Sequence, residues 1–250
     1  MKSTLWIVGG SSGIGFELAT LYLKNNYQVI VSARKATQTS SLQQLLAKFP
    51  GTLRLVDVDV GDMNSVTDAT QKAWKSFGKI DLCFYNAGVY APMKVKEWDI
   101  AKFEQMTQIN YLGAVRVTTA LTPYFQKRGK GSFVFNASIS SYFGLPYGGG
   151  YSAPKAALMN FCESIKPELE AQNIDVRIIN HGFVKTRLTA KNDFEMPQLL
   201  EPTDAAKIIY EKLTTTDSFE IKFPFLLTSF LYFLRVVPYK WAFYFTRKAL

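Results

Sequence analysis

The chain has 250 residues, 48% hydrophobic and 20% charged, far from the polar make-up of disordered segments and long enough for one large α/β domain. Its net charge is +9, from 29 Lys and Arg against 20 Asp and Glu, and five of the basic residues lie in 221–250 without one acid. The two cysteines, Cys83 and Cys162, fall in apolar runs, so buried thiols in a reducing compartment, the cytoplasm, are expected.

At the N-terminus the apolar run Leu5 to Val8 is too short for a signal-peptide core and stops at Gly9-Gly10, so it reads as a first strand. Runs rich in branched and aromatic residues then predict strands at 28–33, 52–57, 82–85, 131–136, 175–180 and 218–223. Helices are predicted between them at 13–25, 39–49, 63–77, 102–124 with interruptions, 152–172 and 203–213. The alternation is that of a parallel, doubly wound α/β sheet of about seven strands. A (β/α)8 barrel shares it, but a glycine loop after the very first strand favours the open sheet. No linker or repeat divides the chain, so residues 1–223 read as one domain and 224–250 as an apolar, basic helical appendage.

That loop is Gly9-Gly10-Ser11-Ser12-Gly13-Ile14-Gly15. Glycine tolerates positive φ and lets a pyrophosphate approach the free N–H groups of a helix N-terminus, making Gly9, Ser11, Ser12, Gly13, Ile14 and Gly15 candidate cofactor contacts. Tight βα turns also use glycine for steric reasons alone. Strand two ends in Ala33-Arg34. The acid that would bond a ribose 2′-OH is missing and an arginine suited to a 2′-phosphate follows, favouring NADP(H) over NAD(H). A solvated surface charge is the plain alternative for Arg34.

Further along, Tyr151-Ser152-Ala153-Pro154-Lys155 spaces a phenol and an ammonium four residues apart, on one face of a helix. Pro154 is tolerated only in a first turn, so the helix should start close to Tyr151 and put the phenolate near the positive dipole end. Ser138 ends an apolar strand, Asn110 lies within a helix, and Asn86-Ala87-Gly88 follows the fourth strand. Singly, these could be an exposed helix pair, a strand-end hydroxyl and a helix-surface amide. As an ordered set they closely resemble the short-chain dehydrogenase/reductase family, in its single-domain branch, over about residues 4–223.

The resemblance implies a Rossmann-type fold and hydride transfer between a nicotinamide and a carbonyl or secondary alcohol. Asn110, Ser138, Tyr151 and Lys155 match the family's catalytic tetrad. Tyr151 would donate the proton, Lys155 would stabilise the phenolate and bond the ribose, Ser138 would orient the carbonyl and Asn110 would hold a water. Asp59 and Val60 match the adenine contacts, Asn86, Ala87 and Gly88 the segment beside the cofactor, and Gly182, Val184 and Thr186 the turn against the nicotinamide. A homodimer or homotetramer is also implied, and no metal or nucleic acid is expected. The alternative is a cofactor-binding redox sensor or scaffold, which would have no use for Tyr151 and Lys155 together.

One departure is His181, where the family turn carries proline. It reads as a backbone position that tolerates the loss of the ring, ahead of a group titrating beside the cofactor. The loop 188–200 holds Phe194, Met196 and Leu199, pointing to a lipophilic or acyl substrate. In the tail, Leu227, Phe230, Leu231, Leu234 and Val237 recur at helical spacing, with Thr228, Tyr232 and Arg235 expected on the other side. Packing on the domain, a subunit interface or a lid is placed ahead of a membrane surface for this stripe.

Overall fold

The computed structural model describes residues 3–248. Its strands are β1 (Thr4–Val8), β2 (Gln28–Ala33), β3 (Leu53–Asp57), β4 (Leu82–Tyr85), β5 (Gly131–Asn136), β6 (Ile174–His181) and β7 (Glu220–Phe223). They form one parallel sheet of seven strands in the order β3-β2-β1-β4-β5-β6-β7. The inner strand β1 is buried at all five positions, which is why it reads as an unbroken apolar run rather than an alternation.

Helices cover both faces. On one side, α3 (Met63–Phe77), α5 (Gly113–Arg128) and α6 (Gly149–Glu170) bury Val66, Val117, Leu121, Leu158 and Cys162 against Trp6, Phe133 and Phe135. On the other, α1 (Gly13–Lys24), α2 (Ser40–Lys48) and α7 (Pro202–Thr215) bury Leu18, Leu42 and Ile209 against Ile7, Val29 and Phe84. The chain runs outward from β1 in one direction and, from β4, in the other. The switch point opens a crevice at the carboxyl ends of the strands, where the glycine loop and the polar residues of the later strands meet.

Expected and observed boundaries differ by a few residues at 52, 175 and 218 and substantially in one helix. The predicted segment 102–124 is α4 (Ile100–Thr107), a π-helical turn (Gln108–Leu112) and then α5. A π-turn leaves carbonyls without their usual partners. Here the Tyr85 hydroxyl donates to the Ile109 carbonyl at 2.6 Å, and Arg116 Nη1 donates to the Gln108 carbonyl at 3.3 Å. A second correction concerns α6, which starts three residues before the predicted Ser152 because the Gly148 carbonyl accepts from the Ser152 N–H at 2.7 Å. Pro154 is therefore the sixth helical residue, just past the first turn, while Tyr151 stays within it.

The tail forms α8 (Phe225–Val236) and α9 (Tyr239–Arg247). Leu231, Leu234 and Ala242 pack on Ile139 and Tyr142, next to the end of β5. The expected stripe needs correcting: Thr228 is buried and Phe230 exposed. Thr228 can turn inward because its hydroxyl bonds the carbonyls of Pro224 at 2.8 Å and Phe225 at 3.0 Å, leaving no unpaired donor. Among the described residues no helix is long and apolar enough to cross a membrane.

Candidate active site

A cleft of about 1040 Å³ lies over the carboxyl ends of the strands. Gly9, Ser11, Ser12, Gly13 and Ile14 form its floor beside β1, and Arg34, Asp59 and Val60 line one end. Asn86, Ala87 and Gly88 lie at the middle, with Ser138, Tyr151, Lys155, Gly182, Val184 and Thr186 at the other end. Two expected residues stand apart. Gly15 is buried behind the loop, where a Cβ would lie 2.6 Å from the Gly9 carbonyl oxygen and 2.7 Å from Asn86 Nδ2. Its place is to let α1 seat closely on the strand ends, not to touch a ligand. Asn110 lies behind the lining.

The loop itself demands glycine at Gly9, whose φ is +92° and whose Cβ would strike the Ala87 backbone. Ser12 precedes α1 but does not cap it; its hydroxyl instead accepts from Arg187 Nη2 at 3.0 Å. Arg187 thus brings a guanidinium to the phosphate-loop end of the crevice. Nothing in the sequence marked it, since 175 positions separate the two residues. Arg34 is exposed at the far rim, and Lys35 lines the cleft beside it.

A line of hydrogen bonds joins the strand ends. Lys155 Nζ donates to the Asn136 carbonyl at 2.7 Å, Asn136 Nδ2 to Asn86 Oδ1 at 2.8 Å, and Asn86 Nδ2 to the Gly9 carbonyl at 2.7 Å. Asn136 is a second residue that sequence reasoning missed, because an asparagine closing a strand carries no distinguishing pattern.

Tyr151 and Lys155 share one face of α6, with Nζ 5.7 Å from the phenol ring centroid. Burial pushes the Tyr151 phenol up to about 12, against the opposing hydrogen bond from Ser138. Lys155 does not offset this, because its ammonium bonds a main-chain oxygen; the Ser138 hydrogen bond is the influence that lowers the phenol. Burial also brings Lys155 down to about 8. Tyr90 packs edge-on against Tyr151, with centroids 5.1 Å apart.

Asn110 sits in the π-turn, completely buried. Its Oδ1 accepts from the Val89 N–H at 2.8 Å and its Nδ2 donates to the Val89 carbonyl at 2.9 Å. The side chain therefore braces the segment after β4, and a bound water would have only its remaining amide hydrogen and lone pair. Thr186 receives the Leu188 N–H on its hydroxyl at 3.3 Å, leaving that hydroxyl a proton to donate.

His181 Nδ1 donates to the Gly182 carbonyl at 2.7 Å, and its ring stacks on Phe223 at 6.1 Å. Burial holds its pKa down to about 4, so the ring is neutral at ordinary pH. Among the loop residues expected to meet substrate, Phe194 lines the cleft and packs on Phe183. Met196 and Leu199 do not; the Met196 sulfur faces the Asn192 amide, and Leu199 is exposed.

A family model described as short chain dehydrogenase matches residues 3–196, and the chain belongs to that family of oxidoreductases. An uncharacterised oxidoreductase of Myxococcus xanthus is 29% identical over 235 residues, 94% of this chain and 92% of its own. A short-chain dehydrogenase from Streptomyces avermitilis has the same fold, with a TM-score of 0.83 at 22% identity over 93% of this chain and 92% of that one. ElxO, solved with NADP bound, superposes with a TM-score of 0.79 at 25% identity over 89% of this chain and 97% of its own.

Proposed function

We propose that the protein is an NADP(H)-dependent carbonyl reductase or alcohol dehydrogenase acting on a lipophilic or acyl substrate. The observation that carries this reading is the convergence of Ser138, Tyr151 and Lys155 in one crevice with the glycine loop. The cleft fits an anionic dinucleotide on chemical grounds. It has a glycine cradle that a side chain would fill, three cations at Arg34, Lys35 and Arg187, and buried polar atoms on Asn136, Ser140 and Ser152 that have no partner among the described residues. The NADP held by ElxO supports the same cofactor.

In this reading the amides of Gly9 to Ile14 and the Arg187 guanidinium would hold the pyrophosphate, Arg34 the 2′-phosphate, and Asp59 with Val60 the adenine. Asn86, Ala87, Gly88, Gly182 and Val184 would form the walls, and Thr186 would donate to the carboxamide. When bound, the nicotinamide supplies or accepts the hydride at the substrate carbon. As negative charge develops on the carbonyl oxygen, Tyr151, protonated at neutral pH, gives it a proton while Ser138 orients that oxygen. Lys155 would bond the ribose and stabilise the phenolate left behind. Phe194 and Leu188 offer apolar surface to the substrate. A cytoplasmic setting is in keeping with the buried, unbridged Cys83 and Cys162.

The test is to titrate the full-length protein with NADPH and NADH and follow NADPH oxidation against hydrophobic ketones and acyl thioesters. Tighter NADPH binding with turnover of at least one class is expected. Absence of nicotinamide binding would overturn the reading.

A further inference from the structure

Of the sixteen large apolar side chains exposed among the described residues, ten fall within 225–244. The inner side of α8 and α9 already has its partner, through Leu231, Leu234 and Ala242. The outer side does not. Leu226, Phe230 and Phe233 stand one turn apart along α8, and Trp241 and Tyr244 project from α9, all exposed.

Charge identifies what covers this face. Lys240, Arg247 and Lys248 are exposed beside it on α9, Arg235 is exposed at the end of α8 on the side of Leu231, and residues 221–250 contain no acid. Among the described residues none of these four cations reaches a carboxylate; only Lys222 does, at 3.8 Å from Glu220. A second copy meeting the same face across a twofold axis would set cation against cation. An anionic lipid surface satisfies both features: aromatic and aliphatic side chains enter the headgroup boundary while Lys and Arg meet phosphates. The helices are too short to do more. At 12 residues α8 is about 18 Å long, against a hydrocarbon core of roughly 30 Å.

We propose that α8 and α9 dock the protein on anionic bilayers as in-plane interfacial helices. The position of the face gives the docking a consequence for catalysis. Pro224 and Leu227 pack directly over Gly182, and Ile139, which carries α8, follows Ser138 in the chain. The docking helices therefore border the substrate end of the cleft through their inner side, so that docking holds this end close to the bilayer, suiting a substrate drawn from it. That consequence rests on the proposed oxidoreductase function; the docking does not, and its test uses neither cofactor nor turnover.

Full-length protein is co-sedimented with vesicles of equal parts phosphatidylglycerol and phosphatidylcholine, and with phosphatidylcholine alone. Binding to the anionic vesicles, weakened by salt, is expected. Neutralising Lys240, Arg247 and Lys248 to Gln should lower the partition coefficient by about fivefold per charge, roughly a hundredfold together. The double variant Phe230→Ser/Phe233→Ser should also bind less. All five side chains are exposed, so unchanged thermal melting serves as the fold control. No binding to anionic vesicles, equal binding to neutral ones, or full retention by the triple Gln variant would overturn the proposal. So would a vesicle-indifferent dimer, by light scattering, that the double Ser variant dissociates.

Discussion

Lys155 donates its ammonium to the main-chain carbonyl of Asn136 at 2.7 Å and not to the phenol of Tyr151. The carbonyl anchors the lysine to the end of β5, and the Asn136 amide carries the connection to Asn86 and Gly9. The two halves of the crevice are thus one hydrogen-bonded unit, so the reacting end is held in register with the glycine loop. Four expectations follow from this arrangement and its surroundings.

Removing the phenol should stop the chemistry without emptying the cleft. Tyr151→Phe is expected to lower kcat by about two to four orders of magnitude while NADPH affinity stays within a few-fold. Steady-state kinetics on an active ketone, with fluorescence titration of NADPH, check this. Retained turnover would reassign the proton donor.

Arg34 has no carboxylate partner among the described residues and stands at the rim where a 2′-phosphate would arrive. Arg34→Ala should weaken NADPH by about ten- to a hundredfold and leave NADH nearly unchanged, because only the former loses charge-assisted hydrogen bonds. Equal dissociation constants for the two cofactors in the parent protein would refute the assignment.

His181 gives a pH signature in stability. Its pKa is about 4 in the folded protein against about 6.5 in the unfolded chain, so between these values the unfolded state binds more protons. Its stabilising contribution is present above pH 6.5 and lost as pH falls through 4, a change of about 3 kcal/mol. Replacing His181 with Gln should flatten this part of the stability profile, measured by urea unfolding at a series of pH values. An identical acid slope in the variant would show that the ring stays solvated.

Tyr85→Phe isolates the π-turn. The hydroxyl of this buried residue is the donor for the Ile109 carbonyl, and its loss should cost about 1–3 kcal/mol by leaving that oxygen unpaired. Because Asn110 follows directly, faster exchange of the Val89 amide, which Asn110 holds, is expected alongside the lower Tm. A melting temperature equal to the parent's would mean that water replaces the hydroxyl.

Much of this molecule was legible without coordinates. β1, β2, β4 and β5 coincide with the apolar runs that predict them, because strands covered on both faces must be continuously apolar and end where glycine or a polar residue interrupts. Gly9 was legible because a backbone at positive φ excludes most other residues, and Tyr151 with Lys155 because helical spacing alone puts them on one face. The tertiary structure decided what depends on partners distant in the chain. It turned Asn110 from a helical amide into a brace on Val89, moved Gly15 from ligand contact to helix packing, and brought Arg187 to Ser12. It also reversed the expected direction for the Tyr151 phenol, since desolvation depends on everything packed around the ring. In the tail, α8 is apolar on nearly every side, so periodicity could not say which side meets the domain. Ile139 and Tyr142 make that choice by offering a surface for Leu231 and Leu234, which leaves Phe230 and Phe233 facing outward.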